Sequence, residues 1–234
     1  MKGLATNEMT RQSWIFLFII AVMADIAGGI IKNDLVDYIF KPLIVISLAG
    51  YFVSETNYTP SPLKKWVVFA LVFSWIGDVL LLFQPDRPIF FLLGLSSFLL
   101  AHIFYILFFH EVRVIEKVKV RIWLMLIVVV YYLGLMSILS PHLKDMKTPV
   151  RIYGIAISFM LMLALHMAFI KKKVAGWEMV IGALLFVISD SVLAFNNYYH
   201  SFALAGAVIM LTYGLAQLLI VDGAIKYITS EIKE

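Results

Sequence analysis

The sequence predicts an all-α, polytopic membrane protein with eight transmembrane helices. Of its 234 residues, 62% are hydrophobic and only 15% are charged, whereas soluble domains have about 45–50% and about 25%. The apolar residues form eight runs of roughly 17–25 residues, the length that a helix needs to cross the hydrocarbon layer. The segments between these runs are too short for a soluble domain. We therefore expect a single transmembrane domain over residues 1–234.

The eight predicted spans are 13–31, 36–54, 65–83, 89–110, 121–139, 150–170, 178–198 and 202–222. The first run has basic residues ahead of it, as a signal peptide does, but it is long and has no Ala-x-Ala cleavage site. We interpret it as a span. Turn formers separate later spans at Thr59-Pro60-Ser61-Pro62, Gln84-Pro85-Asp86-Arg87-Pro88 and Ser140-Pro141. Lys171-Lys172-Lys173 separates the sixth span from the seventh.

The basic residues predict the orientation of these spans. Most of the 19 Lys and Arg fall on the side of the chain termini, and cytoplasmic loops carry such an excess. Only five are assigned to the other side: Lys32, Arg87, Lys144, Lys147 and Arg151. We therefore expect both termini to be cytoplasmic. Because the net charge of +4 resides in these short loops, it indicates topology, and we expect no nucleic-acid partner.

Two aspartates, Asp78 and Asp190, interrupt predicted spans. A carboxylate at membrane depth costs several kcal/mol, and such groups usually face a protein interior or a water-filled cavity. The orientation places both in the outer half of the membrane, with Asp25 and Lys41 in the same layer and His102 deeper. A purely structural contact between helices is the alternative for the two aspartates. Pairing with Lys41 is the alternative for Asp25.

Spans 3–4 and 7–8 share a pattern when Asp78 is aligned with Asp190. The positions that then coincide are Phe83 and Phe195, Gly94 and Gly206, Phe98 and Met210, Ala101 and Tyr213, and Tyr105 and Gln217. Copies in the same orientation imply a pseudo-twofold axis along the membrane normal. The sequence therefore predicts two parallel four-helix repeats.

Each returning span of this repeat carries a stripe of small and polar residues. The stripes are Gly94, Ser97, Ala101, His102 and Tyr105 in one copy, and Gly206, Met210, Tyr213 and Gln217 in the other. Spacings near three, four and seven put each set on one helical face. The small members are equally consistent with close helix packing.

At these positions the chain resembles the YhhN-like family of membrane proteins, whose animal members include lysoplasmalogenases. The matching residues are Lys41-Pro42-Leu43, Gly77-Asp78, Gly94-Leu95 to Phe98, Ala101-His102 to Tyr105, Gly182-Ala183, Phe186, Ser189-Asp190, Tyr213 and Gln217. The resemblance implies eight helices and hydrolysis of the vinyl ether bond of lysoplasmalogens, or of a related lysolipid. We expect an integral protein of the bacterial inner (cytoplasmic) membrane.

Vinyl ether hydrolysis suits a pair of carboxyl groups. It begins with proton transfer to carbon and passes through an oxocarbenium ion, as glycoside hydrolysis does. Two carboxyls in one low-dielectric site can divide these roles, because burial and mutual repulsion disfavour two charges. We therefore expect Asp78 and Asp190 to be the general acid and the base or stabiliser, without assigning which is which.

The remaining candidate site residues would bind substrate or support this pair. Lys41 is a candidate for the lipid phosphate, with snorkelling or pairing to Asp25 as the alternatives. His102 would orient a carboxylate or relay a proton, or is a satisfied core histidine. The candidate hydrogen-bonding residues are Ser74, Tyr105, Ser189, Tyr213 and Gln217.

Other functions remain as alternatives. A proton-coupled lipid or small-molecule transporter, or a lipid-binding protein, would use the same buried carboxylates. A zinc hydrolase would need clustered histidines, but the five in this chain are scattered. The Gly-x-Gly-Asp motif of intramembrane aspartyl proteases lacks its first glycine at Ile76-Gly77-Asp78. We expect no metal or other cofactor, and as partners only the lysophospholipid substrate and the bilayer, with no obligate protein partner.

Overall fold

A computed structural model describes residues 2–84, 87 and 89–230, with side chains from residue 11 onward. It contains eight long helices, as predicted: α1 (Lys2–Ile31), α2 (Asp34–Thr56), α3 (Lys64–Leu82), α4 (Ile89–Ile115), α5 (Ile122–Leu139), α6 (Lys147–His166), α7 (Lys173–Tyr198) and α8 (Ala205–Ser230). Each is long and apolar enough to cross a membrane. Pro85, Asp86 and Pro88 of one predicted turn lie outside the described residues.

Helices α7 and α8 begin at other residues than the predicted spans, because hydropathy alone does not set where a helix begins. Helix α7 begins at Lys173, ahead of the predicted position 178, because a helix can continue past the apolar layer into polar sequence. Helix α8 begins at Ala205 and not at 202, because Leu204 has a positive φ of 66°. A left-handed residue cannot continue a right-handed helix.

Six of the helices form a closed ring. Helix α2 packs against α3, α3 against α4, α4 against α6, α6 against α7, α7 against α8, and α8 back against α2. Helix α1 lies outside this ring on α2 and α8, and α5 lies outside it on α6 and α7. The ring therefore encloses the central space in which the candidate site lies, and α1 and α5 support it from the periphery.

The predicted repeat accounts for this helix order. Shifted by 112, the separation of Asp78 and Asp190, helix α2 maps onto residues 146–168, which are α6 and the 3-10 turn that follows it. The same shift carries α3 into α7 and α4 onto most of α8. Under the shift, the contact between α2 and α8 corresponds to the contact between α6 and α4, which is present. The contact between α1 and α8 would correspond to one between α5 and α4, and these two helices make none. The pseudo-symmetry thus describes the ring and fails at its periphery.

Glycines allow the two hairpins of the ring to pack closely. A Cβ atom at Gly182 on α7 would lie 2.8 Å from the backbone oxygen of Ala216 on α8, and one at Gly94 on α4 would lie 2.8 Å from Leu81 of α3. Small residues permit such backbone approach between membrane helices. Gly206, the counterpart of Gly94, has open space at the same position. The packing interpretation therefore suits Gly94, whereas Gly206 borders a cavity.

Candidate functional site

A cavity of about 280 Å³ lies inside the ring. Its lining residues are Lys41, Asp78, Leu81, Gln84, Phe91, Leu95, Phe98, Tyr153, Ser189, Asp190, Leu193, Asn196, Gly206, Ile209, Met210 and Tyr213. All six ring helices contribute, and α1 and α5 do not. Two carboxyl groups and two phenol groups meet here among leucine, phenylalanine and isoleucine side chains, so the cavity joins a cluster of polar groups to an apolar surface.

The cavity lies toward one side of the bundle. Arg11, near the start of α1, is 3.8 Å from Asp222, near the end of α8, so these two helix ends share a side, which we call the terminal side. Gln84 and Asn196, by contrast, belong to the ends of α3 and α7 that lie across the bundle. The cavity therefore lies toward the side opposite the termini, which we call the far side.

Asp78 is held in a nearly closed environment on α3. The residue is 4% exposed, and its Oδ2 accepts a hydrogen bond of 2.8 Å from the hydroxyl of Tyr213 on α8. A T-shaped contact with Phe98, at 5.9 Å between ring centroids, fixes the tyrosine ring. Asp78 thus reaches the cavity with one neutral donor on one carboxyl oxygen.

Behind Tyr213, three more buried polar residues form a network. Gln217 donates from Nε2 to Ser74 Oγ at 2.9 Å and to Tyr213 Oη at 3.4 Å. The hydroxyl of Tyr105 donates to Gln217 Oε1 at 2.5 Å. Every member is buried, and satisfied buried networks of this kind rigidify a site because each lost partner leaves a desolvated group. The network fixes the orientation of Tyr213, and through it that of Asp78.

Asp190 has a different set of partners on α7. Its side chain is 17% exposed, and its Oδ2 accepts a short hydrogen bond from the hydroxyl of Tyr153 on α6. His102 Nε2 on α4 lies 2.8 Å from the Tyr153 hydroxyl and 3.4 Å from Asp190 Oδ2. Because Tyr153 gives its proton to Asp190, the hydrogen bond from His102 to Tyr153 requires the proton on Nε2. A phenol and an imidazole therefore serve one carboxylate.

Lys41 stands at the boundary of the cavity in an ion pair with Asp25 of α1. Its Nζ lies 3.2 Å from Asp25 Oδ1 and 3.3 Å from Asp25 Oδ2, and 3.3 Å from the sulfur of Met210. The predicted pairing of Asp25 is therefore present. Lys41 also lines the cavity, so the pair leaves its ammonium within reach of a bound molecule.

The predicted site residues thus fall into three groups. Asp78, Asp190, Lys41, Ser189 and Tyr213 line the cavity itself. His102 and Gln217 lie behind it and hydrogen-bond the lining residues Tyr153 and Tyr213, and Ser74 and Tyr105 lie further back, in contact with Gln217. Asp25 reaches it only through Lys41, and the hydroxyl of Ser189 is turned to the backbone oxygen of Ile209 at 3.0 Å.

Tyr153 is the residue that the sequence did not reveal. It hydrogen-bonds Asp190 and also lines the cavity, but a single tyrosine in an apolar helix has no distinctive signal. The repeat could have indicated Tyr153, because extending the 112-residue shift to α2 and α6 makes Tyr153 the counterpart of Lys41. Gln84 and Asn196 at the rim were also missed, since they end their helices where polar residues are common.

Sequence comparisons connect this site to known proteins. The family model described as YhhN family matches residues 36–224, which include every residue that lines the cavity. The chain belongs to the YhhN family. Known proteins with similar sequences include two lysoplasmalogenases. Lysoplasmalogenase TMEM86B of Homo sapiens is 33% identical over 190 residues, 80% of this chain and 74% of the human protein.

The second of these relatives is bacterial. The lysoplasmalogenase of Mycobacterium bovis is 28% identical over 212 residues, 89% of this chain and 78% of the mycobacterial protein. No solved structure matches the chain. The YhhN match begins at residue 36 and so does not include Asp25, although Asp25 pairs with a residue that lines the cavity.

Proposed function

We propose that the protein hydrolyses the vinyl ether bond of a lysoplasmalogen, or of a related lysolipid, to a fatty aldehyde and a glycerophospho-base. The observation that carries this proposal is the convergence of Asp78 and Asp190 on one cavity with apolar walls. The names of the relatives supply the reaction. A carboxyl pair for proton transfer and an apolar surface for an alkenyl chain are what this reaction requires.

The chemistry begins when a carboxylic acid donates its proton to the alkenyl carbon that is not bonded to oxygen. The resulting oxocarbenium ion is attacked by water, which loses a proton to the second carboxylate and forms a hemiacetal. In the collapse, the second group returns that proton to the ether oxygen as the carbon–oxygen bond breaks. The first group takes the hemiacetal hydroxyl proton, so both carboxyls end as they began and one water is consumed.

The hydrogen bonds support a division of these roles between the two aspartates. Asp190 accepts from Tyr153 and has His102 at 3.4 Å, and such donors favour a carboxylate anion. Asp78 accepts from Tyr213 alone and is more deeply buried, which leaves its other oxygen to carry a proton. We therefore assign Asp78 as the acid, and Asp190 as the stabiliser of the cation and the base for water.

The surrounding residues suit a lipid substrate. Leu81, Leu95 and Leu193 on the cavity wall offer an apolar path for the alkenyl chain. Lys41, although paired with Asp25, carries the positive charge that a lipid phosphate would approach. The protein would act in the bacterial inner membrane with cytoplasmic termini, and the cavity would then face the outer half of the bilayer.

Aldehyde release by purified protein tests the proposal. In detergent, the wild-type protein should release a fatty aldehyde from a lysoplasmalogen, and Asp78→Asn and Asp190→Asn should each lose about 10³-fold in kcat, within the range for a positioned acid or base. Asp145→Asn is the matched control, because Asp145 is an exposed acid in the turn before α6 and should keep full activity.

Two results would contradict the proposal. If both asparagine variants stay folded and active, the carboxyl pair does not perform the chemistry. If the wild-type protein binds lysoplasmalogen or moves it across a vesicle membrane without releasing aldehyde, the protein is a lipid carrier with two buried carboxyls. Thermal unfolding in the same detergent separates loss of activity from loss of fold.

A further inference from the structure

A second chamber adjoins the reaction cavity on the far side of the bundle. It has a volume of about 550 Å³ and is built by the end of α1, the start of α2 and the loop before α8. The two spaces share Lys41, Asn196, Gly206 and Met210 in their linings. A molecule in the reaction cavity can therefore extend past Lys41 into this chamber.

The chamber carries charge of both signs. Lys41 and Asp25 largely neutralise each other as an ion pair. Lys32 in the α1–α2 turn and Asp37 on the first turns of α2 also line the chamber, and the structure shows no ion pair between either of them and another described side chain. Asp25 Oδ1 has Lys41 Nζ at 3.2 Å, whereas Asp37 Oδ1 is buried without a hydrogen-bond partner among the described residues. A buried oxygen of this kind is costly unless a donor satisfies it.

We propose that this chamber binds the headgroup of the substrate, and that it selects a phosphate ester of an amino alcohol. Lys32 and Lys41 would hold the phosphate, and the carboxylate of Asp37 would pair with the ammonium group. The assignment rests on the proposed function, because only the glycerol backbone separates the phosphate of a lysolipid from its ether oxygen. The two chambers lie in that order along the bundle.

Under the repeat, the acidic residues of the chamber differ between the two halves of the molecule. Under the 112-residue shift, Lys32 corresponds to Lys144, and both have a positive φ, of 56° and 44°. Asp37, however, corresponds to Pro149 and Asp25 to Ser137, so neither acid of the chamber has a counterpart at the matching position of the second repeat. Lys144 thus shares the positive φ of Lys32 without these two carboxylates.

Binding of saturated analogues tests this assignment separately from turnover. A 1-alkyl lysophospholipid has no vinyl ether bond to hydrolyse, so its dissociation constant reports binding without turnover, and differences between analogues with the same chain report the headgroup. The test compares three analogues that carry the same alkyl chain and end in phosphoethanolamine, phosphocholine or phosphate. Each is bound to detergent-purified protein. The wild-type protein should bind the two amine analogues more tightly than the phosphate analogue.

Variants then assign the preference to individual residues. Asp37→Asn should reduce the ratio of affinities between amine and phosphate analogues about tenfold, the effect of about 1.4 kcal/mol, because it removes an attraction for the ammonium and a repulsion for the second phosphate charge. Lys32→Gln should weaken all three analogues. The matched controls are Asp34→Asn, an exposed acid one turn away that does not line the chamber, and Lys144→Gln, which should both bind like the wild-type protein.

The outcomes separate the two proposals. If Asp37→Asn keeps the wild-type ratio, or if Asp34→Asn changes it equally, the chamber does not select the amine and the inference is wrong. If the ratio changes as expected but no analogue with a vinyl ether yields aldehyde, the headgroup site stands as a binding site and the proposed reaction is wrong.

Discussion

The two halves of the reaction cavity hold equivalent aspartates in unequal surroundings. Asp78 and Asp190 occupy matching positions of the repeat, yet their tyrosine partners do not. Tyr213 reaches Asp78 from α8, whereas Tyr153 reaches Asp190 from α6. The repeat therefore accounts for the presence of two carboxyls at one cavity, and the different neighbours are the basis on which we propose different roles for them.

The residues that hydrogen-bond the two tyrosines from behind also differ between the two halves. Tyr213 leads to Gln217, an amide that cannot change its charge. Tyr153 leads to His102, an imidazole whose Nε2 hydrogen-bonds the phenol oxygen. The Asp78 half is a buried hydrogen-bond scaffold that includes an amide, and the Asp190 half links a carboxylate, a phenol and an imidazole.

The largest expected effect on kcat comes from replacing each aspartate by alanine and then adding formate as a carboxylate in solution. Asp78→Ala and Asp190→Ala should each lose about 10³-fold in kcat. Formate should restore part of the activity of Asp190→Ala, because a small anion can occupy the vacated, partly exposed position and accept a proton from water. It should not restore Asp78→Ala, because formate is ionised at neutral pH and cannot replace a buried proton donor.

Aldehyde release with increasing formate measures this difference, and chloride at equal ionic strength is the control. The rescued Asp190→Ala protein should still lose activity at high pH, since its remaining acid must begin each turnover protonated. Rescue of Asp78→Ala in place of Asp190→Ala would reverse the two roles. If formate restores the two alanine variants equally, the two aspartates do not have the different roles that we assign to them.

A smaller effect should distinguish the two tyrosines. Tyr153→Phe removes a donor from the carboxylate that we assign as an anion and disconnects His102, so kcat should fall about 10- to 100-fold, as expected for a hydrogen bond to a charged group. Tyr213→Phe removes a donor from a protonated group and should cost about 3- to 10-fold. Steady-state kinetics of the two variants give the comparison, and the opposite order would argue against the assignment.

Much of this arrangement was predictable from sequence because membrane burial makes polar residues conspicuous. The eight spans follow from length and hydropathy, and Asp78 and Asp190 are the anomalies within them. Tyr213 and Gln217 were found because they share a helical stripe with small residues. For Lys41, the pairing with Asp25 was one of the predicted alternatives and is present, while its interaction with phosphate stays a prediction.

The rest depended on how the helices pack around one another. Tyr153 is a single tyrosine on a largely apolar helix. Only the packing of α6 against α4 and α7 makes it a link from His102 to Asp190. Gly94 and Gly206 have the same sequence setting, but one packs against α3 and the other opens onto the cavity. Side-chain spacing along a single helix cannot distinguish these outcomes.

The smallest expected effect concerns the outermost hydrogen bond of each half. Ser74→Ala removes the acceptor of Gln217 at 2.9 Å in the fully buried scaffold, so the free energy of unfolding should fall by about 1 kcal/mol, within the range for hydrogen bonds between membrane helices. Ser191→Ala breaks the 2.6 Å contact with Tyr131 in a half-buried position of the Asp190 half and should cost about 0.5 kcal/mol. Denaturant unfolding in detergent measures both. If the scaffold behind Asp78 is the more rigid half, Ser74→Ala should also lower kcat, because the misplaced amide releases Tyr213, while Ser191→Ala should leave kcat unchanged.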